Sequence, residues 1–109
     1  MKYKISIADA IDQLKQEPEF PFTCLMKHGT MSIEYYAPKE IDEQQPHLQD
    51  EIYIIASGES HFTCGEKKLT CSKGDVLFVP AGMEHCFENF TEDFATWVIF
   101  YGRQGGEKE

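Results

Sequence analysis

Three residues have the types and the spacing to bind a catalytic metal ion: His47, Glu51 and His85. The first two stand in the pattern Gln45-Pro-His47-x3-Glu51-x6-Gly58. Two imidazoles and one carboxylate form a facial ligand set that suits Fe(II), and also Mn, Ni, Co or Zn. Such a set leaves coordination positions open, as catalysis requires, whereas a structural zinc site is normally closed by four protein ligands. The spacing therefore indicates an open divalent-metal site.

Strand geometry predicts how these side chains converge. Because side chains alternate across a strand, residues separated by an even number face the same side. On a regular strand through this region, one set faces a common interior: Gln45, His47, Glu51 and Tyr53. A second set faces it from a later strand: His85, Phe87 and Asn89. Tyr53 is the candidate for acid–base catalysis beside the ligands. An unpaired buried carboxylate is costly, so Glu51 in an apolar barrel itself predicts a cation.

The second pattern surrounds His85 and reads Gly74-x5-Pro80-x-Gly82-x2-His85-x3-Asn89. A glycine turn leads into the apolar strand 76–79, and a proline and a glycine then end that strand. A strand that stops at a tight turn and then presents a histidine holds the imidazole in a fixed place. The other residues of the pattern are interpreted as turn-forming residues, which support the fold and carry no chemistry.

The elements that must position these residues are one short helix and a series of strands. The helix candidate runs from Ser6 to Lys15, with Ser6 as its cap, Asp9 close to a capping box, and one apolar face: Ile7, Ile11 and Leu14. Strands separated by turn signals follow: 22–28, 30–37, 47–57, 60–64, 68–71, 76–79, 85–90 and 94–101. This pattern indicates an all-β sandwich or barrel.

The chain length of 109 residues fits one domain with one core. Residues 1–21 are expected to form the helix and a lead-in, and residues 22–101 the β-barrel. The polar, glycine-rich segment 102–109 is expected to be a flexible tail.

The two patterns resemble the two sequence motifs of the cupin superfamily. The second motif matches at every specified position from Gly74 to Asn89, and the first matches at His47, Glu51 and Gly58 with the spacing intact. The resemblance covers residues 30–101, and the chain is similar to compact single-domain microbial cupins (monocupins). It implies a double-stranded β-helix, or jelly roll, with a divalent metal in its mouth.

By this resemblance, His47, Glu51 and His85 take the roles of metal ligands. Gln45 stands where the family has the first histidine of its H-x-H pair, and Lys39 stands where it has its first glycine. Three alternatives stay open: a site with three protein ligands, Gln45 as a weak fourth ligand, or poor metal binding. Cupins commonly dimerise through edge strands, so the resemblance also implies a homodimer.

Two functions fit these features. The first is a metal-dependent enzyme acting on a small organic molecule as a dioxygenase, an isomerase or a lyase. The second is a non-catalytic cupin that binds a small molecule or a metal in a degenerate site. Candidates for lining the pocket are Tyr53, Phe87, Met26, Ile33, Tyr35 and Trp97. Such aromatic walls favour a small ligand with an apolar part.

The composition excludes some partners. A formal net charge of -9 argues against nucleic acid and anionic membrane surfaces, which reward clustered Lys and Arg. The first residues contain no long apolar run, so a cytoplasmic protein is expected. The four cysteines form no C-x-x-C pair and are interpreted as free thiols: Cys24, Cys64, Cys71 and Cys86.

Overall fold

A computed structural model describes residues 2–108, which fold into one helix and eight strands. In chain order these are α1 (Ile7–Lys15), β1 (Phe22–His28), β2 (Met31–Tyr36), β3 (Asp50–Ser57), β4 (Glu59–Cys64), β5 (Lys67–Ser72), β6 (Val76–Val79), β7 (His85–Glu88) and β8 (Ala95–Tyr101). The strands form a five-stranded sheet in the order β1-β2-β8-β3-β6 and a three-stranded sheet in the order β5-β4-β7. All pairings are antiparallel. The predicted all-β fold class with a short N-terminal helix is confirmed.

The main core lies between the two sheets. Alternate residues of β3 face it, so Glu51, Tyr53 and Ile55 are buried while Ile52 and Ile54 are half-buried on the outside. The small sheet contributes Phe62 and Phe87, which are each 1% exposed. Strand β8 is central in the large sheet and has no exposed residue, which fits the apolar run of its sequence.

Helix α1 packs on the outer face of the large sheet. Its capping box is present: the Ser6 hydroxyl accepts from the Asp9 backbone, and the Asp9 carboxylate accepts from the Ser6 backbone. The buried face differs from the expected one, because Ala10 is fully buried while Ile7 and Ile11 are 40% and 39% exposed. The small alanine side chain lets the helix approach the sheet closely, which the hydrophobic pattern alone does not show.

The segment after β8 differs from the flexible tail that composition predicts. Gly105 donates its backbone N–H to the Leu48 carbonyl at 2.7 Å. Glu107 donates its backbone N–H to the Asp50 carboxylate at 2.8 Å, and Gly106 between them is buried. The tail is therefore docked onto the residues just before β3 and at its start. Met1, in the expected segment 1–21, and Glu109, in the expected segment 102–109, lie outside the described residues.

The four cysteines are free thiols, as expected. Among residues 2–108, no helix has the length and hydropathy needed to cross a membrane.

Candidate metal centre

Glu51 is buried in the interior of the barrel. It lies on β3, is 0% exposed, and pairs across the sheet with Phe100 on one side and Val79 on the other. Neither of its carboxylate oxygens has a hydrogen-bond partner. Burial of a charged carboxylate without compensation is unfavourable by several kcal/mol, about the cost of an unpaired buried ion. A cation beside Glu51, which the sequence predicts, would compensate this charge.

His85 reaches Glu51 from the opposite sheet. It begins β7, and the alternation along this strand buries His85 and Phe87 on the same face, as predicted. The turn before it contains Gly82, whose φ of +80° favours glycine. Asn89 takes a φ of +53°, so it ends β7 as a turn residue and does not face the interior. The proline–glycine turn thus orients the imidazole toward Glu51.

His47 is held by a loop and does not lie on a strand. Strand β3 begins only at Asp50, so the alternation predicted through residues 45–53 does not extend to Gln45 and His47. The loop is fixed instead by backbone hydrogen bonds, in which Gly82 donates to the His47 carbonyl at 2.8 Å and Gly105 donates to the Leu48 carbonyl. The imidazole stacks edge-on against Phe100, with ring centroids 4.8 Å apart. His47 therefore reaches the site for a different reason than the one the spacing suggested.

The structure brings the three predicted ligands together. One ligand atom from each of His47, Glu51 and His85 lies within 4.8 Å of the other two. The Nε2 atom of His85 is 3.0 Å from Oε1 of Glu51, and Nε2 of His47 is 4.0 Å from the same oxygen. Both Nε2 atoms and both Glu51 oxygens are buried without a hydrogen-bond partner. Four unpartnered polar atoms that converge in this way could hold a cation.

The tautomer of His85 strengthens this interpretation. Its Nδ1 atom lies 2.9 Å from the Met83 carbonyl oxygen, which can only accept, so Nδ1 carries the hydrogen. In the neutral ring, Nε2 then presents a lone pair to the Glu51 carboxylate. Two electron-rich atoms 3.0 Å apart need a cation between or beside them, either a metal ion or a proton on Nε2. A carbonyl that fixes the tautomer in this way is typical of metal-binding histidines.

The two imidazoles have different proton affinities. Burial lowers the pKa of His85, but the Glu51 carboxylate and the Met83 carbonyl outweigh burial and leave this pKa raised. Burial lowers the pKa of His47, and the attraction of Glu51 offsets this only in part. A proton on His85 would satisfy Glu51 alone and would leave the Nε2 atom of His47 unpartnered. One metal ion bound by all three side chains would satisfy each of them.

Gln45 and Tyr53 occupy different environments from the three ligands. Gln45 is exposed and lines a cavity of about 260 Å³ that His85 also lines. Its role as a fourth ligand stays a prediction. Tyr53 is fully buried, and its hydroxyl donates to the Gln44 side-chain oxygen at 2.8 Å. Burial and the Glu51 carboxylate raise the pKa of Tyr53, so its phenol is a neutral donor.

Sequence reasoning missed a polar network beside the ligands. The Asp42 carboxylate accepts hydrogen bonds from the Tyr36 hydroxyl, from the Gln44 backbone and side chain, and from the Phe87 backbone at 2.7 Å. The hydrogen bond from Asp42 to β7 ties the loop before the first motif to the strand of His85. Burial and the contact with Asp42 raise the pKa of Tyr36. In the sequence, Asp42 is an acidic residue in a loop close to a ligand motif. Such residues are common, so this signal alone does not identify the network.

A cavity of about 670 Å³ opens beside the metal centre, with His47 in its wall. Its other walls include Glu34, Tyr36, Val98 and Phe100 from the large sheet. The wall also includes Phe20 and Phe22 from the lead-in to β1. Two predicted lining residues, Tyr35 and Trp97, instead pack on the outer face around Ala10, and Phe87 lies in the core. Strand alternation places Glu34 and Tyr36 inside whenever Tyr35 is outside.

Residues 32–101 match the family model of the cupin domain. The chain belongs to the cupin family. This cupin is similar to an uncharacterized protein of Streptomyces coelicolor, with 36% identity over 77 residues that cover 69% of this chain and 73% of the relative. The cupin motifs and the cupin barrel predicted from them are thus confirmed.

Solved structures show the same fold. One, a protein of unknown function from Rhizobium leguminosarum, has a TM-score of 0.70 and 19% identity, and the match covers 94% of this cupin and 99% of that chain. Another, a cupin superfamily protein from Desulfitobacterium hafniense, has a TM-score of 0.60 and 24% identity over 72% of this cupin and 73% of that chain. At these identities the likeness shows the fold alone.

Proposed function

We propose that this cupin is a metal-dependent enzyme that acts on a small organic molecule. The observation that carries the proposal is the convergence of His47, Glu51 and His85 with four buried polar atoms that have no partner. Three protein ligands leave coordination positions open, and His47 borders a cavity of about 670 Å³ through which a substrate can reach them. The ligand set suits Fe(II), Mn, Ni, Co or Zn.

When bound, the divalent ion supplies Lewis acidity toward substrate oxygen atoms, and Fe(II) would add chemistry with dioxygen. The protein would contribute orientation and exclusion of water. His85 and Glu51 are almost fully enclosed, so substrate would approach from the side of His47, whose side chain is 33% exposed. Tyr53 would help to hold the loop that precedes the ligands, because its hydroxyl binds Gln44. Dioxygenase, isomerase and lyase activities are all compatible with this arrangement.

The alternative is a non-catalytic cupin that binds a metal or a small molecule. The glutamine at position 45, where the family has a histidine, favours it, since the missing imidazole would reflect relaxed demands on metal binding. Metal-loaded protein should be incubated with a panel of small oxygenated acids, with and without dioxygen, and products should be identified by mass spectrometry. Turnover that is present in the wild type and absent in His85→Ala supports the enzyme. Binding of a panel member by the wild type without any product supports the alternative.

A further inference from the structure

The cavity beside His47 is lined by several charged side chains. It contains three carboxylates, from Glu19, Glu34 and Glu43, and one ammonium, from Lys39. Lys39, Glu19 and Glu43 are exposed, so solvent screens their charges, whereas Glu34 is half-buried. The wall has more acidic than basic groups, and a ligand with a positive group would lower the electrostatic energy near Glu34.

Glu34 is the carboxylate that projects from the barrel wall. It lies on β2, pairs with Val98 of β8, and faces inward with Tyr36. The side chain is half-buried, and among residues 2–108 no Lys or Arg lies within ion-pair distance of it. Burial raises the pKa of Glu34, with the charge of Glu51 as a smaller cause in the same direction and the charge of Lys27 as an opposing one. A half-buried carboxylate without a salt bridge is costly in the free protein and is relieved by a cationic ligand.

Aromatic rings surround the same space. Phe20 and Phe22 line the cavity, remain 49% and 40% exposed, and lie with ring centroids 5.6 Å apart. Tyr36 and Phe100 form the opposing wall. A ligand that covers these exposed phenylalanine rings removes apolar surface from water. Aromatic faces also attract organic cations such as quaternary ammonium groups.

The cross-strand register sets the size of the ligand. Val98 pairs with Glu34 on one side and with Tyr53 on the other, and Glu51 is two residues along β3 from Tyr53. Two strand spacings and two residues of rise separate the backbones of Glu34 and Glu51 by roughly 12 Å. Both side chains project inward from the same sheet, so a ligand that reaches both Glu34 and the metal centre must span a distance of this order.

We propose that this cavity binds a small organic cation that also carries an oxygen donor. The oxygen donor faces the metal centre at His47, and the cationic group lies against Glu34 between the aromatic rings. This assignment rests on the proposed metal site and adds the chemical class of the ligand to it.

The test uses matched probes on cobalt-loaded protein. A series of ω-(trimethylammonio)carboxylates of increasing length is compared by calorimetry with the neutral isosteres in which carbon replaces the nitrogen. At the best length, the ammonium compound should bind the wild type roughly tenfold more tightly than its isostere, since a desolvated cation–π contact and an ion pair each contribute. The visible spectrum of the cobalt ion should shift with both compounds, because both present the same carboxylate to the metal.

In Glu34→Gln, the ratio of the affinity for the ammonium compound to that for its neutral isostere should fall to nearly one. Cobalt content should stay unchanged. Glu66→Gln, in the turn between β4 and β5, is the matched control and should keep the preference. Equal binding of the two probes to the wild type, absence of binding by every probe, or an unchanged preference in Glu34→Gln would overturn this inference. Cobalt content separates the two proposals: protein that takes up no cobalt overturns the metal site as well, whereas loaded protein without the preference overturns only the ligand class.

Discussion

The Nε2 atom of His85 lies 3.0 Å from the Oε1 atom of Glu51, and the two side chains reach this point from opposite sheets of the barrel. Both side chains are almost fully enclosed, at 0% and 1% exposure. Because Nδ1 of His85 is committed to the Met83 carbonyl, a cation bound to its Nε2 atom and to Glu51 would compensate the buried carboxylate. A metal ion bound there would also join the two sheets.

Replacement of Glu51 by glutamine should change stability in opposite directions with and without metal. In chelator, Glu51→Gln removes a buried charge and adds an amide donor that faces His85, so the free energy of unfolding should rise by about 1 kcal/mol or more. With metal at a hundredfold excess over its dissociation constant, the wild type should gain about 2.7 kcal/mol and the variant far less. Urea denaturation with EDTA and with added metal measures both effects. A variant that is less stable than the wild type in EDTA would contradict the interpretation of Glu51.

The sequence predicted the strands best where turn residues mark their ends. Strands β1 and β6 have the predicted bounds because Pro21, Gly29, Gly74 and Pro80 flank them. The metal centre was predicted from motif spacing, but the alternation argument was wrong for His47, since its loop leaves the strand geometry. No local pattern encodes the hydrogen bonds that hold this loop, because they come from residues far along the chain. Glu34 was missed because an isolated acidic residue in a strand usually faces solvent.

The docked C-terminal segment should support metal binding. A Cβ atom at Gly106 would lie 2.9 Å from Asp50 Oδ1 and 3.2 Å from the Ala81 side chain, and φ is +91°. Gly106→Ala should therefore displace the segment from the loop of His47 and lower metal affinity by roughly tenfold, the usual effect of disturbing residues behind metal ligands.

Gly105→Ala is the matched control for that variant. Its φ is also +91°, but nothing lies within 4 Å of an added Cβ, so it carries the same backbone strain without the clash. Metal titration of the two variants compares them. Equal affinities would mean that the contact of Gly106 with Asp50 has no influence on the metal centre.

The helix cap should make stability depend on pH in the acid range. Hydrogen bonds from the Ser6 backbone and hydroxyl lower the pKa of Asp9 below its ordinary value of 3.8. A carboxyl whose folded pKa is lowered contributes stability above the unfolded pKa and loses it as pH falls through the folded pKa. Asp9→Asn should therefore be less stable than the wild type at pH 7, and the difference should shrink below about pH 3.8. Asp12→Asn, exposed on the same helix, should show a smaller difference in urea denaturation at both pH values.

The outer face of the large sheet should form a homodimer contact. Strand β6 is an edge strand, and its outward side chains Val76 and Phe78 are 65% and 54% exposed. Exposed apolar side chains on an edge strand favour association with a second strand or sheet. Phe78→Lys should convert the dimer to monomer in light scattering, whereas Leu69→Lys, 47% exposed on the small sheet, should leave it unchanged. A wild-type monomer at micromolar concentration would contradict this prediction.

The metal site is tested most directly by the metal content of protein purified without chelator and without a histidine tag. We expect about one equivalent of Fe, Mn, Ni, Co or Zn in the wild type, by elemental analysis. We also expect loss of this metal in His85→Ala and its retention in His61→Ala, whose imidazole is exposed on β4. Wild-type protein that contains no metal and binds none of these ions on titration would contradict a metal site at His47, Glu51 and His85.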